Sequence, residues 1–245
     1  MRAVCGRKPV IEALSGGEAI EKIYLLFGQR GEVIDKIRIE AKRKNIPVTQ
    51  LPADKFNRLG VTANHQGVIA VLPSQKTESL EFLLEYSLQR HRLLVALDSI
   101  QDPHNVGAII RSAECAGADG LIITRHNSAP LSDTVSKVSA GAINHQKIAV
   151  VNNLVRSLEE AKKAGYWITG AMLSEKALPY TEIDFSLPTI IVVGNEESGI
   201  RKLTSEKCDF LAYIPMQGKI QSLNVSVATG IFLFEVLKQR THKTP

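Results

Sequence analysis

Three short stretches of the chain carry residues whose types fit chemistry better than packing. In "LDSIQDPHNVGAIIRSAECAGA" (97–118), Asp102-Pro103 makes a turn, and Arg111 follows Asn105 by six residues inside a helix otherwise built of small or apolar residues. In "IIVVGNEESGI" (190–200) a buried strand runs straight into Gly194, Asn195 and Glu196, and a carboxylate at a strand's carboxyl end faces the crevice where ligands bind. In "IPMQGKIQSLNVSVA" (214–228), Ser222, Asn224 and Ser226 stand at alternate positions where a helix should simply start. Together they offer backbone groups of glycine turns, one carboxylate, one arginine, and several hydroxyls and amides. That is equipment for holding a polar ligand by hydrogen bonds and charge. Ordinary readings stand beside it: Asn105 as an N-cap, Arg111 as solvated surface, Gly194-Asn195 as a turn, and one residue of the third stretch as a helix cap. A single cap leaves two of the three polar residues in that last stretch unexplained.

The elements that must position these loops alternate in type. From 93 onward the pattern predicts strands "LLVALD", "GLIIT", "KIAVV", "YWITGAM", "TIIVVG" and "FLAYIP", with helices in "NVGAIIRSAECAGA", around "DTVSKVSAGAI", in "NNLVRSLEEAKKAG" and from about 223 to 240. Strands separated by helices of this length imply a parallel sheet covered on both faces. In "NNLVRSLEEAKKAG" the ends are readable: Asn152 or Asn153 caps it, Leu154, Leu158 and Ala161 form the buried stripe, and Gly165 stops it. A smaller α/β alternation occupies 6–72, with a helix whose apolar positions are Val33, Ile34, Ile37, Ile39 and Ala41. The polar, proline-marked start of 73–91 reads as a linker leading into a helix. The expected domains are 1–72, the linker 73–91, and 92–245.

Composition narrows the classes. The 245 residues hold 44% apolar and 22% charged side chains with no long like-charge block, which argues for packed cores and against disorder. Thirty Lys and Arg against 25 Asp and Glu leave a net charge of +5, which suits a polyanionic partner only if the excess is clustered. Cys5, Cys115 and Cys208 are scattered with no C-x-x-C pair, so no disulfide framework or zinc site is expected, and a reducing, cytoplasmic setting fits. The N-terminus lacks an apolar export segment, and no stretch approaches a membrane span.

"DPHNVGAIIRSAECAG", "VVGNEESGI" and "IPMQGKIQSLNVSVATGIFLFE" resemble, in order and spacing, the three signature motifs of the SpoU or TrmH family of RNA ribose 2′-O-methyltransferases in the SPOUT superfamily. "SAPLSDTVSKVSAGAI", "CGRKPVIEAL" and "HQGVIAVL" extend the resemblance over essentially the whole chain, most closely to RlmB-type 23S rRNA guanosine methyltransferases. The resemblance implies a C-terminal parallel sheet tied into a deep trefoil knot. S-adenosylmethionine (SAM) would lie bent against it, held at Asn195, Ile214, Gly218 and Leu223, with Gly194 letting the backbone approach the adenosine. Ser222 and Asn224 would face the reacting centre. The N-terminal part would be a ribosomal-protein-like RNA-binding domain, with Arg7, Lys8, Arg58, His65 and Gln66 as contacts, though such charges are as often plain surface. The knotted domains usually form homodimers through the last helix, whose apolar residues Val225, Ala228, Ile231, Phe232, Leu233, Phe234, Val236 and Leu237 exceed what one sheet face covers.

The resemblance gives the key role to Arg111. Free arginine is effectively never deprotonated, so two roles stand open: a base made so by an unusual site, or a charged anchor that grips the neighbouring phosphate and polarises the hydroxyl. Glu196 and Asn224 would orient Arg111 and the ribose, and Asn105 would shape the same wall. The chain departs from many relatives by carrying Ile143-Asn144-His145 where they place a glutamate. A Rossmann-type methyltransferase is disfavoured because no G-x-G occurs. A non-catalytic RNA platform has no use for a cofactor-shaped pocket. The expected substrate is 23S rRNA, with tRNA as the alternative; no DNA, membrane or metal is expected.

Overall fold

The computed structural model describes residues 3–17, 20–59, 64–72, 77–219 and 222–241. Part of the third signature stretch (220–221) and the first residues of the expected linker (73–76) lie outside the described residues. The chain divides into two compact units, Met1–Lys76 and Thr77–Pro245.

The first unit runs β1 (Ala3–Cys5), α1 (Arg7–Ser15), β2 (Lys22–Leu26), α2 (Glu32–Arg43), β3 (Val48–Leu51), α3 (Ala53–Asn57) and β4 (Val68–Val71). Its sheet order is β1-β4-β2-β3, with β2 and β3 parallel and β4 antiparallel to both of its neighbours. Val10 and Leu14 of α1, Ile34, Ile37 and Ala41 of α2, and Ile23, Leu25, Val68 and Ala70 of the sheet form the core. Ile39, expected in the stripe of α2, is 64% exposed. At about 100° per residue it sits some 200° from Ile37, on the far side of the helix. Strand β1, which the alternation missed, is only three residues long.

The second unit continues with α4 (Leu80–Leu88), β5 (Leu93–Asp98), α5 (Pro103–Cys115), β6 (Gly120–Thr124), α6 (Asp133–Val138), β7 (Lys147–Val151), α7 (Leu154–Lys163), β8 (Trp167–Ala171), β9 (Leu178–Pro179), β10 (Thr189–Gly194), α8 (Lys202–Ser205), β11 (Phe210–Tyr213) and α9 (Val225–Thr241). The seven strands take the order β7-β6-β5-β10-β8-β11-β9, and every pairing is parallel. The alternation of side chains along a strand builds two cores. Leu93, Val95 and Leu97 of β5 and Ile191 and Val193 of β10 join the layer that holds residues of α5 and α9. Leu94, Ala96, Ile190 and Val192 face the opposite layer, with Leu83 and Leu84 of α4 and Leu154, Leu158 and Ala161 of α7. Asn153 caps α7 by accepting from the Arg156 N–H at 3.1 Å, and Gly165 follows the helix at φ 98°. Helix α4 packs into the core of this second unit, where Leu83 and Leu84 cover one sheet face.

Parallel pairing puts the carboxyl ends of β5, β10, β8 and β11 on one edge. The chain leaves β5 toward β6 and β7 on one side, and β10, β8 and β11 fill the other. The crevice of such a sheet lies at that reversal.

Candidate active site

Asp102, not Asn105, caps α5: its carboxylate accepts from the His104 N–H at 2.9 Å, and Pro103 takes the first helical position. This overturns the capping reading of Asn105, which lies inside the first turn, buried, with its side chain free to act elsewhere. Its amide Nδ2 donates to Glu196 Oε1 at 2.6 Å, and its Oδ1 accepts from Asn224 Nδ2 at 3.0 Å. Asn224 in turn accepts the Ser226 N–H at 2.9 Å and the Ser226 hydroxyl at 2.5 Å, so it caps α9 as well. Residues from all three signature stretches thus form one chain of hydrogen bonds, and its carboxylate end, Glu196, is exposed at the sheet edge.

The loop that carries Glu196 is fastened from both sides. Asp98, the last residue of β5, is completely buried and accepts from the Arg201 backbone N–H at 2.9 Å and from Arg201 Nε at 2.7 Å. Asn195 donates to the Ser99 carbonyl at 3.2 Å, accepts the N–H groups of Glu197 and Ser198, and closes the turn through paired backbone bonds with Gly199. The Asp98 to Arg201 pair is a contact the sequence reading missed; its signal was a carboxylate ending a wholly apolar strand.

Beside this cluster lies a cavity of about 390 Å³. Its walls are Ala171, Met172 and Leu173 beyond β8, Ala212, Tyr213 and Ile214 beyond β11, Met216, Gly218, Ser222 and Leu223 of the following loop, and Ala228 and Phe232 of α9. Ile214, Gly218, Ser222 and Leu223 thus lie together in its lining. The wall from β8 was missed, since "AML" carries no distinguishing polar residue.

Gly194, Asn195 and Arg111 lie outside this lining. Gly194 does not line the cavity: a Cβ there would meet Gly199 C and Ile200 N at 2.2 Å, so the close approach it permits is that of its own chain. Asn195 commits its side chain to the loop, away from the cavity walls. Arg111 is exposed and makes no hydrogen bond or ion pair among the described residues. Six residues after Asn105, it projects about 120° around α5 from the Asn105 cluster.

In the first unit Arg7, His65 and Gln66 converge. Arg7 N and Nε donate to Gln66 Oε1 and O at 3.2 and 3.4 Å, and the His65 ring packs edge-on against Phe56 with centroids 5.0 Å apart. Lys8 and Arg58 are exposed.

A parallel sheet with an apolar cavity of this size, within the range of about 300–1,000 Å³ for small-molecule sites, and a polar cluster beside it define a cofactor-using α/β enzyme. Residues 92–234 match the SpoU rRNA Methylase family, and residues 3–77 match the model described as RNA 2′-O ribose methyltransferase substrate binding. A putative TrmH family tRNA/rRNA methyltransferase of Staphylococcus haemolyticus is 37% identical over 97% of this chain and 95% of its own. The AdoMet-bound rRNA methyltransferase of Sinorhizobium meliloti superposes with a TM-score of 0.65 at 26% identity, covering 100% of this chain and 88% of that one. The A. aeolicus TrmH/SpoU tRNA modifying enzyme is similar over 67% of this chain and 83% of its own, with a TM-score of 0.58 and 34% identity. The chain belongs to the SpoU rRNA methylase family.

Proposed function

We propose that the protein transfers the methyl group of SAM to a ribose 2′-hydroxyl of RNA, with a guanosine of 23S rRNA as target. The observation that carries this reading is the hydrogen-bonded cluster Asn105, Glu196 and Asn224 beside the cavity at the carboxyl edge of the parallel sheet. The cavity fits the cofactor: Met172, Leu173, Ile214 and Leu223 offer apolar walls for an adenine ring, while Ser222 and the backbone at Gly218 supply polar groups. SAM brings a methyl group already activated on a sulfonium. The chain's own residues align the hydroxyl and manage its proton. Asn105 fixes the Glu196 carboxylate through one oxygen, and Asn224 fixes Asn105, so that the acceptor is oriented before RNA arrives. Arg111 acts as a charged anchor: it grips the phosphate next to the target ribose bidentately and polarises the 2′-oxygen. Its exposure, with no partner among the described residues, leaves the guanidinium available for RNA.

Val227 and Phe234, 52% and 50% exposed, form an apolar face of α9 that supports a homodimer. The substrate-binding match of the first unit and its exposed Lys8 and Arg58 support its role as the RNA-gripping part. No helix among the described residues is long and apolar enough to cross a membrane, and the free thiols Cys5, Cys115 and Cys208 suit a reducing cytoplasm.

The test is to incubate the purified protein with labelled SAM and with rRNA and tRNA from cells lacking the gene, and then to map the 2′-O-methyl groups. Methylation of one 23S guanosine is expected. A tRNA product would move the target, and no transfer to either RNA would overturn the reading.

A further inference from the structure

We infer that Phe27 is a stacking platform for an unpaired base of the RNA substrate. The inference rests on the proposed RNA function and adds a residue that neither the motifs nor the polar contacts point to. Phe27 follows β2 and is 74% exposed, more than any other large hydrophobic among the described residues. A lone exposed apolar side chain needs no explanation in general, but this one is displayed on a braced edge. The Phe27 N–H donates to the Leu51 carbonyl at 2.8 Å, and the Leu26 N–H to the Gly67 carbonyl at 2.9 Å. Gly28 turns the chain at φ 84°, and Gln29 N closes on the Leu26 carbonyl at 3.2 Å.

The brace continues through side chains. Arg7 donates to Gln29 Oε1 and to the Gln66 carbonyl, tying the start of α1 to the turn after β2 and to the loop before β4. A Cβ at Gly67 would meet the Gln29 side chain at 2.6 Å, so Gly67 leaves the room that Gln29 fills. Arg7 thus spends much of its donor set inside the protein, which makes it a builder of this edge more than a free phosphate ligand.

Exposed cations stand on the segments next to this turn in the fold: Arg30 in the turn itself, Lys8 on α1, and Lys55 and Arg58 in and just after α3, with Asp54, Asp35 and a Glu32 already paired with Lys36 at 2.6 Å as the nearby acids. An aromatic face on a hydrogen-bonded turn, with exposed cations on the neighbouring segments, matches the way single-stranded nucleic acid is held: cations follow the backbone while a base stacks on the ring. A protein partner would want a broader apolar patch, and the turn Gly28 to Arg30 that follows Phe27 carries no large apolar residue.

The experiment compares full-length wild type with Phe27→Ala, Phe27→Leu and Phe27→Tyr. Each is titrated with a short single-stranded oligoadenylate and with an RNA duplex of equal length, and each is assayed for methyl transfer to rRNA. The exposed position predicts unchanged melting in all three variants. Phe27→Ala and Phe27→Leu should lose single-strand affinity by about five- to a hundredfold, the span expected for one base stack, and the loss in methylation should fall on KM. Phe27→Tyr should retain binding, and duplex affinity should not move. Single-strand affinity as in wild type for Phe27→Ala and Phe27→Leu overturns the inference, as does Phe27→Leu binding as well as Phe27→Tyr, because then the ring is not what is recognised. A change in self-association with RNA affinity intact overturns it too. Absence of methyl transfer in the wild type would fail the functional reading itself, which the binding series separates from the role of Phe27.

Discussion

Gly194→Ala should destabilise the catalytic unit through a clash of the chain with itself. A methyl at this position would lie 2.2 Å from Gly199 C and Ile200 N and 2.3 Å from Gly199 O, where ordinary contact is 3.4–4 Å. The partner atoms are backbone, so the loop must withdraw by more than an ångström. That loop is fastened: Arg201 holds the buried Asp98 through two nitrogens and its own N–H, and Asn195 holds the Ser99 carbonyl. If the loop stays, overpacking costs about 1–3 kcal/mol. If it yields, a fully buried carboxylate loses its partner, a change that costs about 3–5 kcal/mol when both groups are buried. Arg201 is half exposed, so water can replace part of that contact, and the lower end applies. A loss of about 2–4 kcal/mol lowers the melting temperature of a unit this size by roughly 5–15 °C. Thermal melting and calorimetry with SAM are the assays. At low temperature the folded fraction should still bind SAM. Wild-type melting combined with lost SAM affinity would refute the reasoning, because it would mean that Gly194 makes room for the ligand.

Arg111→Ala should lower methyl transfer by at least about two orders of magnitude, the scale of losing one preorganised charge-stabilising group, while SAM affinity by calorimetry stays within a few-fold. Arg111→Lys should also be poor, since an ammonium cannot form the bidentate fork, and near-normal turnover would reduce Arg111 to a simple charge. The fragment 77–245 should sediment as a dimer at micromolar concentration, bind SAM and methylate rRNA poorly; a monomer, or full activity, would overturn its half of the proposal. A fragment cut at 92 should fail to fold as well, because it removes Leu83 and Leu84 from the core. Burial pushes the Cys208 thiol up to about 12, so it stays protonated and unreactive to iodoacetamide at pH 8, whereas exposed Cys115 is alkylated in the native protein. Rapid native labelling of Cys208, read by peptide mass, would contradict that.

Much of the catalytic unit was legible because local rules act there without competition. Continuous apolar runs such as "LLVALD" and "TIIVVG" are strands buried on both faces, and Asn153 with Gly165 delimits α7 by backbone chemistry alone. The ordered polar residues of three loops marked the Asn105, Glu196 and Asn224 cluster, since a buried amide such as Asn105 needs partners. What each polar residue does was decided only in three dimensions. Asn105 reads locally as a cap, yet Asp102 takes that role, and Asn105 turns to Glu196 and Asn224, 91 and 119 residues away. The space a Cβ at Gly194 would take is occupied by Gly199 and Ile200, five and six residues on, which no local pattern announces. Asp98 finds Arg201 across 103 residues, and the cavity takes a wall from β8 that no polar residue announces. Sequence spacing encodes hydrogen bonds within a turn or two. Contacts between the carboxyl ends of β5, β8, β10 and β11 depend on strand order, which only the folded sheet sets.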